Sequence, residues 1–581
     1  MATVTARFRY LARLTPRMVS GRILQEARKR WLLGRVWDRS GDVSSIVLQF
    51  DNPALVQFAS VYALQGDRFD ETCDAVSAGT FISNGQSYDF GAPNLARWGA
   101  ILAEDPTQVR LEHDFAFFAF CIPLVRHDTE SGLRTTSELV NTLDAGVTGP
   151  DSLRRFEWSP IALALRTMAL ATAISLVDER SRQRMAPEIR TISGHLIRCG
   201  NLLRPQVERY LGYNHAAFTE AGHLVDCLLR GLAKDAERAA KRLARVIWRS
   251  VLPDGTWAER SPTYHVHMLL LTQALISSQL LPSSEMDRTR RVERLMRDAL
   301  RVLVHPDGEV AILNDAGIGD AVSPRLVGWS HDMLAAPVLA TAGYARVEAG
   351  SLSAIFDAGP MGPRSVIGHG HADFLSTEVC VGSTRLIVDP GVLSISRGPL
   401  REQTRSAASH NGPYVDGEEP AEFFGAWRVG WSAAAEFEDV LSDSKGEVQA
   451  ITGHRSGRTR PWVASARRTI RREDQGVLRI TDEWSVSRAA TSRFLIPIEW
   501  KLTSQQGHEL VFVHRNGSTA IITVTRGQIS VIERARFTRG GPAAVEDAHL
   551  VAFAPTDSVL DFQISASPKT GRGSQNNAIT R

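Results

Sequence analysis

The chain has 581 residues, of which 43% are hydrophobic and 23% charged, and its formal net charge is +3. This length predicts two or three domains, and the composition is that of an ordinary globular protein. So small a net charge argues against a general nucleic-acid binder. The five cysteines are scattered and never spaced Cys-x-x-Cys, which indicates core residues and neither a disulfide framework nor a sulfur metal site.

The first 31 residues are strongly basic, with eight arginine or lysine side chains against one acid, Glu26. They lack the apolar core and the small-residue cleavage site of a secretory signal. Two interpretations stay open: a basic amphipathic helix on an anionic membrane surface, or a solvated helix docked on the body of the protein. No apolar stretch of about 18 residues predicts a transmembrane helix. A short hairpin is predicted around Asn84-Gly85, so residues 1–105 form a basic leader with a small accessory region.

Residues 106–347 show helical periodicity. Ser159-Pro160 and Ser261-Pro262 each place a serine cap before a proline in the first turn of a predicted helix. Pro-Asp-Gly occurs at 253–255 and again at 306–308, a separation that suits one helical hairpin. Stacked helical hairpins predict an incomplete α/α toroid.

Short β-rich runs replace the helical pattern in residues 348–565, and many short strands separated by turns predict an antiparallel β-sandwich. The polar residues 566–581 predict a disordered tail. The fold class is therefore α+β multidomain, an incomplete α/α toroid followed by an antiparallel β-sandwich.

A hairpin in this second region organises the predicted site. Residues 375–381 and 385–388 are rich in apolar and β-branched side chains and flank Gly382-Ser383, which predicts two strands joined by a tight turn. Asp389-Pro390-Gly391 ends the second strand, because proline cannot continue a ladder.

The hairpin brings histidines and a carboxylate together. His369 and His371 enter its first strand, and Asp389 follows its second strand, so His371 and Asp389 can face each other. With His410 as a further ligand, two imidazoles and a carboxylate suit a zinc-type ion. The alternative is that both early histidines are strand-end residues bonded to backbone groups.

Two helix starts supply further candidates. Asn214 follows Gly212 at a predicted helix start, where it is either a simple cap or a group that receives a substrate carboxylate. Tyr264 lies in the first turn after Ser261, where the alternative is a packing tyrosine with a wet hydroxyl. His265 and His267 are two residues apart, so at most one of them faces such a site.

Several motifs together resemble the heparinase II/III-like polysaccharide lyases. They are Gly-His-Gly-His-Ala-Asp-Phe at 368–374, Leu-Ile-Val-Asp-Pro-Gly at 386–391, Ser-His-Asn at 409–411, Val-Asp-Gly at 415–417 and Glu-Arg-Ser-Pro-x-Tyr-His at 259–265. The resemblance implies that His369 is catalytic, that Tyr264 is the catalytic acid, and that His371, Asp389 and His410 hold one structural zinc. The sequence departs from the family pattern at Leu393 and Ile395, where family members often have tyrosines, and at Gly412, where threonine is expected.

This resemblance implies β-elimination of an acidic, uronate-containing polysaccharide. Asn214, with His215, would hydrogen-bond the uronate carboxylate and stabilise the enolate-like intermediate. The proton would go to His369 or Tyr264, and the sequence leaves that choice open. Further substrate contacts are predicted at four arginines, for which a solvated face is the alternative: Arg260, Arg397, Arg401 and Arg405.

Two other functions are compatible with these residues. A zinc-dependent glycan hydrolase would use Asp373 or Glu378 as a base beside the metal, although no His-Glu-x-x-His helix is present. A non-catalytic protein of an exopolysaccharide system would bind or assemble an acidic glycan on the same scaffold. The resemblance implies a place in the cell envelope or periplasm, while the lack of a visible signal peptide favours the cytoplasm.

Overall fold

The computed structural model describes residues 4–39, 46–83, 86–89, 109–457, 463–486, 489–540 and 545–568. Helices predominate up to Leu303 and strands from Val338 onward. The predicted class, a helical toroid followed by an antiparallel β-sandwich, is confirmed.

Fifteen helices are described in the first region. They are α1 (Val4–Leu11), α2 (Pro16–Trp31), α3 (Leu33–Arg39), α4 (Pro53–Tyr62), α5 (Asp70–Ser77), α6 (Val109–Phe117), α7 (Cys121–His127), α8 (Thr129–Ala145), α9 (Pro160–Ser175), α10 (Glu179–Arg184), α11 (Ala186–Leu203), α12 (Tyr213–Leu229), α13 (Ala233–Ser250), α14 (Pro262–Ser277) and α15 (Ser283–Leu303). The caps of α9 and α14 are as predicted, since Ser159 and Ser261 each accept a hydrogen bond from the backbone three residues on.

The helices form inner and outer layers. Helices α9 and α14 are buried almost all round, because apolar residues occupy every face. Helix α13 buries one stripe of alanine, leucine and isoleucine and turns its charged face outward. Helix α4 packs on both α9 and α14, with Leu55 and Phe58 fully buried. Helix α4, which lies in the predicted leader and accessory region, therefore packs into the main helical core.

The described strands are β1 (Thr80–Ser83), β2 (Gln86–Asp89), β3 (Val338–Leu339), β4 (Tyr344–Ala349), β5 (Leu352–Asp357), β6 (Thr377–Val381), β7 (Thr384–Ile387), β8 (Pro413–Val415), β9 (Ala421–Phe424), β10 (Arg428–Ser432), β11 (Ala434–Ser442), β12 (Val448–Ser456), β13 (Ala466–Glu473), β14 (Val477–Trp484), β15 (Ala490–Pro497), β16 (Trp500–Gln506), β17 (Glu509–His514), β18 (Thr519–Arg526), β19 (Gln528–Thr538), β20 (Val545–Ala554) and β21 (Val559–Ser567). One more helix, α16 (Pro399–Arg405), lies between β7 and β8.

The sandwich is built from three antiparallel sheets. An eight-stranded sheet has the order β11-β12-β13-β14-β21-β18-β17-β16, a five-stranded sheet runs β3-β4-β5-β6-β7, and a four-stranded sheet runs β19-β20-β15-β8. Residues of all three sheets share one apolar core, which is the arrangement of a sandwich. The predicted hairpins β6–β7 and β1–β2 both form, although Asn84-Gly85 itself lies outside the described residues.

Both predicted ends of the sheet region differ from the structure. Strands β3 and β4 begin before residue 348, since β3 at Val338 already pairs with β4 at the edge of the five-stranded sheet. Strand β21 continues to Ser567 by pairing with β18, so the predicted tail begins too early. Residues 569–581 lie outside the described residues.

The basic N-terminal helices dock on the body of the protein. Arg9 donates to Glu422 at 2.7 Å, and Tyr10 meets Phe424 edge-on beside β9 and β10. Arg17 donates to the backbone oxygen of Arg209 at 3.0 Å. Of the two interpretations, the docked one matches these contacts. In the described ranges, no helix combines the length and apolarity that a membrane crossing needs.

Candidate active site

A cavity of about 620 Å³ lies between the helical and the sheet regions. Both regions line it, together with the N-terminal helices. The lining includes Tyr10, Arg13, Met18, Tyr62, Asn214, His215, Glu259, Tyr264, His267, Asp315, Arg364, His369 and Trp427.

The start of α12 aims an amide at this cavity. Gly212, with a φ of +74°, precedes the helix, so Asn214 stands inside the first turn and is not its cap. The backbone N–H of Asn214 donates to Glu259 Oε2 at 3.0 Å, and its side-chain oxygen accepts from the His215 N–H at 2.7 Å. Its Nδ2 lies 3.3 Å from His369 Nε2. The amide is therefore held with its N–H groups toward the histidine.

His215 is half-exposed and paired with a buried acid. Its Nδ1 lies 2.7 Å from Glu208 Oε2. Burial lowers the pKa of His215, but the Glu208 carboxylate outweighs burial and raises that pKa above its ordinary value. This environment favours the protonated imidazolium at the cavity wall.

Tyr264 meets His369 across the boundary between the two regions. It is the third residue of α14, and its N–H is capped by Ser261 at 3.3 Å. The Tyr264 and His369 ring centroids are 4.1 Å apart. The indole of Trp427 stands edge-on to the same histidine at 5.7 Å. A phenol and an imidazole thus face one space.

The two histidines of α14 separate as their spacing predicts. His267 lines the cavity. His265 is enclosed, where its Nδ1 accepts from the Trp257 N–H at 3.1 Å and its Nε2 donates to the Met296 oxygen at 2.8 Å. Burial lowers the pKa of His265 to about 4, so this ring is neutral and serves packing.

Asp315 fixes the orientation of His369. His369 Nδ1 lies 3.1 Å from Asp315 Oδ2, so the N–H of that nitrogen donates to the carboxylate and Nε2 points at Asn214. Arg401 donates from Nη1 to Asp315 Oδ1 at 2.5 Å and from Nη2 to Asp315 Oδ2 at 2.8 Å. Although burial raises the pKa of Asp315, the Arg401 charge and the histidine hydrogen bonds hold it well below its usual range. These contacts favour the ionised carboxylate.

His371 binds the other oxygen of the same carboxylate. Its Nε2 lies 2.9 Å from Asp315 Oδ1. The backbone can pass between the two histidines only because residue 370 is glycine, since a Cβ there would lie 2.2 Å from the Met361 oxygen. Gly370 therefore lets neighbouring histidines share one acid from two sides.

The predicted zinc ligands lie together behind Asp315. His410 Nδ1 is 2.8 Å from Asp389 Oδ2, and the His371 and His410 rings are 5.4 Å apart. His371 Nδ1 and His410 Nε2 are buried and have no hydrogen-bond partner in the described part of the chain. Burial lowers the pKa of His371 to about 3, so that nitrogen carries a lone pair. Asp389 outweighs burial and raises the pKa of His410 to about 8, so a cation at the two unpartnered nitrogens would displace the His410 proton.

The fit of His371, Asp389 and His410 to a metal ion is partial, because their donor atoms do not all lie within 4.8 Å of one another. Among the described residues, His223, Asp226 and Cys227 are the three ligands whose donor atoms lie within 4.8 Å of one another. Both Asp226 oxygens, however, are already held by Arg230 and Arg204, at 2.7 and 2.8 Å. That second set is therefore not an open metal site.

Three of the four arginines predicted to bind substrate are engaged elsewhere. Arg260 is buried and donates to Asp357 at 2.5 Å. Arg401 is the partner of Asp315, and Arg405 donates to the backbone oxygens of Gly370 and Ile367. These internal partners make the three side chains less available to a substrate, so their predicted role as substrate contacts stays a prediction. Arg397 is exposed outside the cavity lining, and its role stays a prediction.

Sequence reasoning missed the acids that position the site. Asp315 and Glu259 approach His369 from 54 and 110 residues away along the chain, Glu259 Oε1 standing 3.6 Å from Nε2. Glu259 lies inside a motif recognised for its tyrosine, which is the one signal that pointed to it. Asp315 follows an unremarkable apolar run.

Comparisons with known proteins bear on the sheet region first. Residues 334–570 match the family model "Heparinase II/III-like, C-terminal". The sheet region is therefore similar to that C-terminal domain, and the match confirms the resemblance found in the sequence. A search of curated proteins found no match.

Solved structures extend the likeness to the helical region. A heparinase III is 11% identical with a TM-score of 0.61, the match covering 95% of this chain and 91% of that one. The heparan sulfate lyase HepC from Pedobacter heparinus is 14% identical with a TM-score of 0.52, covering 93% and 88%. These similarities establish a shared fold over nearly the whole chain.

Proposed function

We propose that this protein is a polysaccharide lyase that cleaves an acidic, uronate-containing polysaccharide by β-elimination. The observation that carries the proposal is the meeting of Asn214, Tyr264 and His369 at one side of a cavity between the two regions. An amide donor, a phenol and an oriented imidazole are the groups that the reaction needs. The lyases with the same fold support it.

The reaction removes the proton on C5 of the uronate, forms a double bond between C4 and C5, and breaks the bond from C4 to the bridging oxygen. Loss of that proton places a second negative charge on the carboxylate group. The Asn214 amide donates to this group, and the imidazolium of His215 adds a positive charge beside it. Donors aimed at developing charge in a water-poor site stabilise it strongly.

His369 is the base in this proposal. Its Nδ1–H is committed to Asp315, so its Nε2 lone pair faces the Asn214 amide at the cavity, and a bound uronate would draw that amide to its carboxylate and free the lone pair. Asp315 remains ionised and stabilises the imidazolium that forms when His369 takes the C5 proton. Tyr264, whose ring lies against His369, donates its phenolic proton to the departing oxygen. Transfer of the extra proton from the His369 imidazolium to the Tyr264 phenolate, directly or through water, then resets the site without net exchange of protons.

A zinc ion held by His371, His410 and Asp389 is part of the proposal. The orphaned nitrogens of the two histidines support it. The ion would fix the strand bearing His371 and, through Asp315, the direction of His369. It takes no step in the elimination.

The test follows ultraviolet absorbance while the full chain is mixed with uronate polymers: heparan sulfate, hyaluronan, chondroitin sulfate, alginate and polygalacturonate. Elimination leaves a double bond conjugated to the carboxylate, whereas hydrolysis does not. We expect absorbance to rise with at least one polymer for the unaltered protein and to remain flat for Tyr264→Phe. The variant keeps the ring and removes only the proton donor.

Chain length is measured in the same samples by size-exclusion chromatography. Shortening without absorbance would identify a hydrolase and sink the proposal. Binding without shortening would identify the non-catalytic glycan protein. Tyr62→Phe, at another cavity tyrosine, is the matched control and should leave the rate within about twofold.

A further inference from the structure

The N-terminal helices form part of the wall of the cavity. Tyr10 of α1, Arg13 of the turn after α1 and Met18 of α2 all line it. Contacts on both sides of the cavity hold them in place. Arg9 binds Glu422 of the sheet region, while Gln25 donates to Glu208, the acid that holds His215.

Arg13 brings an incompletely satisfied cation to this wall. Its Nη1 is buried and has no hydrogen-bond partner among the described residues. Its Nη2 is 3.5 Å from Ser432 Oγ, a long contact. The nearby carboxylate of Glu422 is already held by Arg9 at 2.7 Å. A buried guanidinium nitrogen without an acceptor is costly unless a ligand supplies one.

A second arginine faces the same space. Arg364 lies on the loop that leads to Gly368 and His369, is exposed, and lines the cavity. Burial and then the Arg364 charge lower the pKa of Arg13, while the Glu422 carboxylate raises it in part. Like charges that converge on one cavity repel each other, and an anion between them relieves the repulsion.

We propose that Arg13 and Arg364 form an anion-binding subsite for a second acidic group of the sugar chain, a carboxylate or a sulfate. The subsite is joined to the reacting centre by the loop from Arg364 to His369. It rests on the proposed function for the identity of the polymer that bears the anion. It assigns to the basic N-terminal segment a part in substrate recognition, whereas Arg260 and Arg401 bind internal carboxylates and Arg405 binds backbone oxygens.

The first experiment measures binding without turnover. Full-length Tyr264→Phe protein is titrated by calorimetry with hyaluronan hexasaccharide, which carries carboxylates only, and with heparan sulfate hexasaccharides, which carry both groups. In this background we expect Arg13→Gln and Arg364→Gln each to weaken binding about tenfold, the value of a charge-assisted hydrogen bond. Arg7→Gln is the matched control, because it removes an equal charge from an exposed position on α1.

Losses for both ligands identify a carboxylate subsite, and losses for heparan sulfate alone identify a sulfate subsite. Equal affinities for the Arg13→Gln, Arg364→Gln and Arg7→Gln variants overturn the proposal, as does a protein that binds neither probe. Unchanged melting temperatures show that the variants are folded. Should the unaltered protein bind with this arginine dependence yet eliminate no polymer, the subsite stands and the lyase function fails.

A kinetic readout sharpens the assignment in a protein that retains Tyr264. We expect both variants to raise KM with kcat within about twofold, since a distant anion contact stabilises substrate and transition state alike. A large loss of kcat at unchanged KM would place these arginines in the chemistry and overturn the binding role.

Discussion

His369 and His371 bind the two oxygens of one carboxylate, yet they face different surroundings. His369 stands at the cavity, between Tyr264 and Asn214. His371 is fully enclosed beside His410. Asp315 and Arg401 form the partition between the two sides.

This difference shows how environment divides work between identical side chains. An imidazole with a lone pair toward an open cavity can exchange a proton with a ligand. An imidazole with a buried, orphaned lone pair can only bind a fixed partner such as a metal ion. The two histidines have the same side chain, lie in one motif and bind the same carboxylate, so the difference in burial decides their chemistry.

Removing the partition should have the largest effect. In Asp315→Asn, the buried charge of Arg401 loses its anionic partner, and an NH2 donor replaces the oxygen that accepts from one of the two histidines, so we expect a stability loss of about 3 to 5 kcal/mol together with loss of turnover. Thermal melting and the absorbance assay measure the two effects. Asp332→Asn removes the same charge from an exposed position and should change neither. A stable, active Asp315→Asn protein would show that the carboxylate orients nothing.

Replacing His369 or His371 by glutamine distinguishes the role of the cavity side from that of the enclosed side. We expect His369→Gln to lower kcat about 10²- to 10⁴-fold, the usual contribution of a general base, with little change in melting temperature. His371→Gln should instead lower stability by about 1 to 3 kcal/mol, because it disturbs a buried hydrogen-bond network. The paired variants are compared by stopped assay and by melting. If His369→Gln retained turnover, His369 would not be the base, and Tyr264 would be the remaining candidate for that role.

Local patterns in the sequence predicted much of the fold. The serine caps of α9 and α14, the β6–β7 hairpin and the change from helical to sheet periodicity depend on neighbouring residues, and each formed as expected. The placement of α4 was missed because its partners are α9 and α14, distant helices whose contacts leave no local pattern.

The site divides in the same way. The motifs and the family resemblance pointed to Asn214, Tyr264 and His369, and the structure brings these three together. Asp315 could not be found, because only tertiary packing places it between His371 and Arg401. The internal partners of Arg260 and Arg401 were not foreseen for a related reason, since a positive charge in a motif does not reveal whether its partner is substrate or a buried acid.

Metal content tests the enclosed side directly. We expect one zinc per chain by mass spectrometry, and a chelator should lower the melting temperature. His410→Gln should lose the metal and about 1 to 3 kcal/mol of stability through the broken contact with Asp389, while the rate per folded molecule stays within about threefold. His331→Gln, at an exposed histidine, is the matched control. Full metal occupancy in His410→Gln would remove this residue from the ligand set.

The smallest expected effect concerns the pair that supports the cavity side from α12. Burial raises the pKa of Glu208, but His215 outweighs burial and lowers it below the ordinary 4.5, while Glu208 raises the pKa of His215 above the ordinary 6.5. The stabilisation linked to His215 is therefore complete below pH 6.5 and is lost as pH rises through the folded pKa. The part linked to Glu208 is complete above pH 4.5 and is lost as pH falls through its lowered pKa.

Glu208→Gln should consequently lower stability most between pH 4.5 and 6.5 and reduce kcat/KM about fivefold, the value of roughly 1 kcal/mol. Melting curves across pH and nuclear magnetic resonance titration of the His215 ring measure both. Because burial alone lowers the pKa of His215, the ring should titrate at lower pH in the variant. An unchanged titration would mean that Glu208 does not hold the charge on His215, and the cavity side would then lack its cation beside the uronate.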